Sequence, residues 1–163
     1  MMTKISTDPR SIVFAVPGEV RGQGRPRTQI INGKDGKAFA HIYQKNKDID
    51  NKHNIQLYAK DALARKSYVM AGPDEAGITV QVKIYVKVPR SFSKKKTAAA
   101  LRGEILPQRK PDLDNVLKSV LDAMNGVVYR DDKEVTRTQV SRHYAETDHL
   151  AVKVSWNERG EAL

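Results

Sequence analysis

Apolar and polar residues alternate most regularly over residues 78–88, where Ile78, Val80, Val82, Ile84, Val86 and Val88 are set against Thr79, Gln81, Lys83, Tyr85 and Lys87. A side-chain period of two puts each set on its own face, so this run predicts a strand buried on one side. Pro89 lacks a backbone donor and ends it. A shorter apolar run over residues 11–16 stops at Pro17-Gly18 and predicts a second strand closed by a turn. Ile30-Ile31 and Ala38-Phe39 flank Asn32-Gly33 and Asp35-Gly36, the pattern of a hairpin with a glycine turn. Residues 133–144 and 149–156 read as further strands.

The helical period appears twice. Residues 43–66 contain neither proline nor glycine, and Ile49, His53, Leu57 and Ala64 recur at rough helical spacing, with Ile55, Ala59 and Ala62 beside them. In residues 114–124, Val116, Leu117, Val120, Leu121 and Met124 gather on one face, and Asn125-Gly126 is a favourable stop. Residues 92–103 predict a basic loop leading into a short helix capped by Ser93, and residues 71–77 predict a loop. Strands and helices are segregated rather than alternating, so the expected fold class is α+β, a single compact domain with a mixed sheet and a few helices. The expected organisation is a flexible arm over residues 1–10, the folded domain over 11–157 and a flexible tail over 158–163.

Composition adds a partner to this picture. Of 163 residues, 29 are Lys or Arg against 19 Asp or Glu, a formal net charge of +10. An excess of that size attracts a polyanion, and nucleic acid is the commonest one inside a cell. There is no cysteine, which excludes disulfides and thiolate metal sites and fits a reducing cytoplasm. No apolar stretch is long enough for a signal peptide or a membrane span, so no membrane partner is expected. The basic residues best placed for phosphate are Arg21, Arg25 and Arg27 in a glycine-rich segment, Lys94, Lys95 and Lys96, and Arg109 and Lys110. Phe92, beside the lysines, reads either as a core anchor or as a ring that stacks on a base. The four histidines lack metal-ligand spacing.

The chemistry-bearing stretch is residues 109–135, RKPDLDNVLKSVLDAMNGVVYRDDKEV. Pro111 disfavours a helical Lys110, and if the chain stays extended, Asp112 and Asp114 point to the same side at the mouth of the following helix. Magnesium takes oxygen ligands and keeps several waters, so two or three carboxylates plus phosphate oxygens form a natural site. Asp131-Asp132 follows the turn after the helix and joins such a site only if tertiary packing returns it. Lys118, one turn beyond Asp114, is placed to stabilise charge on a phosphate. Each residue also has a plainer role: Asp114, Lys118 and Asp122 as an i,i+4 ladder, Asp112 as a helix cap, and Asp131-Asp132 as turn residues.

The run from Lys110 through Asp112, Asp114 and Asn115, then Lys118, then residues 121–126 and Tyr129 to Asp132, resembles the signature of RusA-family endonucleases. The Gly22-Gln23-Gly24-Arg25-Pro26-Arg27 segment is similar to one that many members carry near the N-terminus. The resemblance spans residues 12–156 and is tightest over 109–135; the chain is longer than compact members through its N-terminal arm and residues 90–104. It implies a Holliday-junction resolvase acting by paired symmetric incisions in DNA recombination and repair. Asp112, Asp114 and Asp132 would be the metal-binding catalytic carboxylates and Lys118 the essential lysine, the family pattern aligning on Asp132 rather than Asp131. The implied cofactor is magnesium, with manganese as a substitute. The implied partners are branched DNA, four-way junctions above all, and a second copy in a homodimer, with no small-molecule cofactor. A non-cleaving basic DNA-binding protein and a nuclease for other branched or flap DNA are the alternatives.

Overall fold

The computed structural model describes residues 10–23, 27–32, 38–43, 46–66 and 77–157. Residues 1–9 of the expected arm, most of the 71–77 loop and the tail over 158–163 lie outside the described residues.

Strands β1 (Ser11–Pro17), β4 (Ile78–Lys87), β5 (Val135–Ala145) and β6 (His149–Trp156) form one sheet in the order β1-β6-β4-β5. β6 runs antiparallel to both β1 and β4, while β5 lies parallel to β4 on the outer edge, so the sheet is mixed. Strands β2 (Arg27–Asn32) and β3 (Ala38–Tyr43) form the separate antiparallel hairpin that the glycine turn predicts.

One face of the sheet is the core. Val80, Val82 and Ile84 of β4, Val152 and Val154 of β6, and Ile12 of β1 are at most 1 % exposed. Helix α1 (Asn46–Arg65) brings Ile55 and Ala59 to this cluster, and α3 (Leu113–Met124) brings Val116, Val120, Ala123 and Met124. Helix α2 (Lys94–Leu101) packs near β5, and Ser93 caps it as expected, its hydroxyl accepting from the Lys96 N–H at 3.3 Å. The observed class is α+β, with three helices and a mixed sheet of four strands.

Helix α1 starts at Asn46, with Tyr43 in β3, instead of at residue 43, and two further boundary differences bear on the site. Helix α3 begins at Leu113, with Asp112 in the extended cap position and Asp114 already helical. The two carboxylates therefore do not project side by side from one extended segment. Residues Asp132–Glu134 form a 3-10 turn, so β5 starts at Val135 instead of residue 133. The Asp131 side chain accepts from the Lys133 N–H and favours this local turn over strand pairing.

Candidate active site

The amphipathic pattern of α3 decides which of its side chains reach solvent. Val116, Val120, Ala123 and Met124 point into the core at 1 % exposure or less, which turns Asp114 and Lys118 outward. Asp112 is exposed at the cap position but makes no capping bond to the helix backbone; Asn115 Nδ2 reaches its Oδ2 at 3.5 Å. Among the described residues, neither Asp112, Asp114, Lys118 nor Asp132 enters an ion pair, so the i,i+4 ladder is not closed.

The segment that delivers Asp112 is tied down by contacts remote in sequence. The Arg142 guanidinium, from β5, donates to the carbonyls of both Arg109 and Pro111. Arg109 in turn donates to the Lys87 carbonyl at the end of β4, at 3.2 Å. The Lys110-Pro111 peptide bond is cis. On the other side, the Gln23 N–H donates to the Asn115 carbonyl at 3.0 Å. Gly22 lies so close to α3 that a Cβ there would stand 2.8 Å from Asn115 Cβ. Only glycine permits this approach without a shift in one of the two backbones. Asn51 of α1 completes the join, donating to Ser119 Oγ at 3.0 Å and to the Arg21 carbonyl at 3.4 Å. The glycine-containing segment is thus packed against the first turn of the helix that carries Asp114.

The adjacent acids Asp131 and Asp132 are treated differently by the fold. Asp131 accepts from the Lys133 N–H at 3.0 Å and pairs with its ammonium at 3.3 Å. These contacts, the backbone hydrogen bond first, hold its carboxyl below the usual range. Asp132 is exposed and enters no ion pair among the described residues. It lies within electrostatic reach of Tyr129, whose hydroxyl donates to the Leu121 carbonyl at 2.9 Å. Burial, and then the charges of Asp132 and Asp122, push the Tyr129 phenol well above its ordinary value. The Tyr129 bond ties the segment just before Asp132 to the Leu121 end of α3, whereas Asp112 and Asp114 stand at its start. Asp114 and Asp122 are separated by about 12 Å along the axis, at ~1.5 Å per residue. Among the described residues, no three Asp, Glu or His side chains gather closely enough to form a metal cluster.

The basic residues occupy several places. Arg21 is half-buried and pairs with Glu19 at 2.6 Å. Arg25 lies outside the described residues, and Arg27 opens β2 opposite Tyr43. Lys94, Lys95 and Lys96 are exposed on the first turn of α2. Phe92 is neither a buried anchor nor a free ring: it meets Tyr144 edge-on at 5.6 Å, with Lys96 Nζ 4.1 Å from its centre. Arg109 and Lys110 are exposed and, with Pro111, line a cleft of about 390 Å³ bounded also by Tyr85, Val86, Glu19, Val20 and Asp148. This cleft opens immediately before Asp112.

Arg142 is the site residue that the sequence pattern did not reveal. It sits in an unremarkable β-rich run, and the carbonyls it holds are 31 and 33 residues away. A separation of that size leaves no local periodicity to read.

A protein from Bacillus subtilis (strain 168), described as uncharacterized protein YqaN, is 37 % identical over 145 residues, covering 88 % of this chain and 94 % of the relative. The family model described as endodeoxyribonuclease RusA matches residues 17–155, which include the glycine-containing segment, α3, the Asp131-Asp132 pair and the whole of β4 and β5. With that match covering most of its length, the chain belongs to the RusA endodeoxyribonuclease family.

Proposed function

We propose that this protein is a magnesium-dependent, structure-selective DNA endonuclease that resolves four-way junctions by paired, symmetric incisions. The observation that carries the reading is the contrast among its acids. In a chain of net charge +10, Asp112, Asp114 and Asp132 are exposed without an ion pair among the described residues, while Asp131 beside them is engaged by Lys133. Carboxylates left unpaired among so many cations are available to an external cation.

The donor set fits a hard divalent ion, since exposed carboxylate oxygens are what magnesium, or manganese in its place, prefers. When bound, such an ion supplies activation of water and neutralisation of charge at the scissile phosphate. Asp112 and Asp114 would hold it at the start of α3, and Asp132 would have to be brought to them from the turn before β5, since no three acids gather there among the described residues. Lys118 stabilises negative charge developing on the phosphate, a task suited to an exposed ammonium one turn from Asp114. Arg21, Arg25, Arg27, Lys94, Lys95, Lys96, Arg109 and Lys110 hold flanking phosphates. Symmetric cutting requires two sites related by a two-fold axis, so the active form is a homodimer. No small-molecule cofactor takes part, and the enzyme works in the cytoplasm. Among the described residues, no helix is long and apolar enough to cross a membrane.

The test is to incubate the purified protein with a synthetic four-way junction, a fork and a linear duplex, with and without magnesium. Paired nicks in the junction that appear only with the metal are expected. Tight binding of all three without any cut identifies a binding protein, and preferential cutting of the fork identifies a flap-type nuclease.

A further inference from the structure

The sheet has a second face, turned away from α1 and α3. Its alternate positions include Lys83 and Lys87 of β4, Lys153 of β6 and Arg137 of β5. Lys83, Lys87 and Arg137 are exposed and Lys153 is half-buried, and none of them enters an ion pair among the described residues. None of the positions of β1, β4, β5 and β6 that share this face is Asp or Glu. The face is polar rather than a core surface awaiting a cover. Gln81 donates to Gln139 at 3.1 Å, and Tyr85 stacks on His149 at 4.3 Å.

The strand registers give these cations an order. Arg137 stands opposite Thr79, Lys153 opposite Gln81, and Lys83 and Lys87 follow along β4. At ~3.3 Å per residue the run from the level of Thr79 to Lys87 extends about 26 Å, close to eight steps of a duplex at ~3.4 Å each. It does not end in open solvent. Arg109 is bonded to the Lys87 carbonyl, and Tyr85 lines the same cleft as Arg109, Lys110 and Pro111. The Lys87 end of the row meets the cleft before Asp112, where Glu19 and Asp148 also stand, Asp148 accepting from the Lys87 N–H at 2.8 Å.

We propose that this open sheet face is a second DNA-contacting surface, a track that takes the phosphate backbone of a duplex arm and leads it to the Lys110-Pro111-Asp112 segment. Charge complementarity selects the occupant. A second copy related by a two-fold axis would set Lys83, Lys153 and Arg137 against their own like, which is unfavourable, whereas a phosphate backbone neutralises all of them. Only the far end of the track rests on the nuclease reading; the surface itself is tested by binding.

Two measurements on the full chain decide it. In the first, affinity for a short blunt duplex is measured without metal across a salt series, for the wild type and for a chain carrying Lys83→Gln, Arg137→Gln and Lys153→Gln. Each duplex phosphate contact contributes ~0.9 to the slope of log affinity against log salt, so the slope should become shallower by about two to three. A slope within half a unit of the wild type overturns the track. The second needs no variant: lysine acetylation read by mass spectrometry, with Lys83 and Lys153 protected on adding duplex. Unchanged acetylation overturns the proposal, as does protection that rises with protein concentration alone, which would assign the face to a second copy. Metal-dependent cutting by the wild-type chain is read in parallel. Protection without cutting retires the nuclease reading and keeps the track; cutting without protection does the reverse.

Discussion

On the inward side of α3, Val116, Val120, Ala123 and Met124 are at most 1 % exposed and bind the helix to the sheet. On its outward side and at its cap, Asp112, Asp114 and Lys118 stand in solvent and none of them closes an ion pair among the described residues. One twelve-residue helix therefore separates its duties by face. The inner face supplies stability through burial. The outer face contributes little to it, because exposed charges are worth at most a fraction of a kcal/mol even when paired. A helix of this kind can lose its outer charges and keep its fold, and that expectation can be broken by experiment.

The largest effects should come from the acids. Asp112→Asn, Asp114→Asn or Asp132→Asn should reduce junction cutting by about a hundredfold or more while leaving Tm nearly unchanged. Met124→Ala should do the opposite, costing about 2–5 kcal/mol of stability through the cavity it leaves. At roughly 2–4 °C per kcal/mol for a domain of this size, calorimetry separates the two outcomes plainly. If all three Asn variants cut normally, neither the outer face of α3 nor the turn before β5 holds a catalytic acid. Lys118→Ala comes next, with a loss of about a hundredfold in rate at saturating junction. Cutting at nearly the wild-type rate would make Lys118 an ordinary surface residue.

Arg142 joins the two kinds of role, since it touches no outer-face carboxylate yet holds the carbonyls on either side of Lys110. Arg142→Lys keeps the charge and removes the paired donors. The magnesium concentration for half-maximal cutting should rise about tenfold or more, the scale on which supporting residues act on a metal site. A change in Tm with no change in metal requirement would make it a structural tie only.

The smallest effect is expected at Tyr129, on the inner side. Tyr129→Phe removes one buried hydrogen bond to the Leu121 carbonyl and should cost about 1 kcal/mol. The pH dependence has a definite sign. The phenol is held protonated in the fold, so its contribution is full below the ordinary phenol value of ~10 and is lost as pH rises beyond it. The wild type should therefore lose more stability than Tyr129→Phe between neutral pH and the alkaline range, in matched denaturant titrations. Parallel curves would deny Tyr129 that role.

These contrasts also mark what the linear sequence can carry. The strict alternation over residues 78–88 and the one-sided apolar set of α3 are local patterns, and both elements form where those patterns lie. The start of α3 was harder to place. Asp-x-Asp after a proline reads equally well as extended chain or as cap plus first turn, and the helix claims Asp114. The difference between Asp131 and Asp132 depends on which of them Lys133 engages, a matter of side-chain reach that a doublet in the sequence does not express. The approach of Gly22 to Asn115 and the Arg142 hold on residues 109–111 join segments remote along the chain. Only a folded chain brings such partners together.

The parallel pairing of β4 with β5 has a consequence for how this protein is made. Parallel neighbours need a long crossover, and here the crossover contains α2, α3 and the turn with Asp132. The proposed catalytic residues all lie within that excursion, and Arg142, on the returning strand, fastens its middle. Non-local parallel pairing of this kind forms slowly compared with a helix or a hairpin. The proposed catalytic residues are therefore fixed in place only once β5 has paired with β4, so premature nicking of DNA by a half-folded chain is disfavoured by topology.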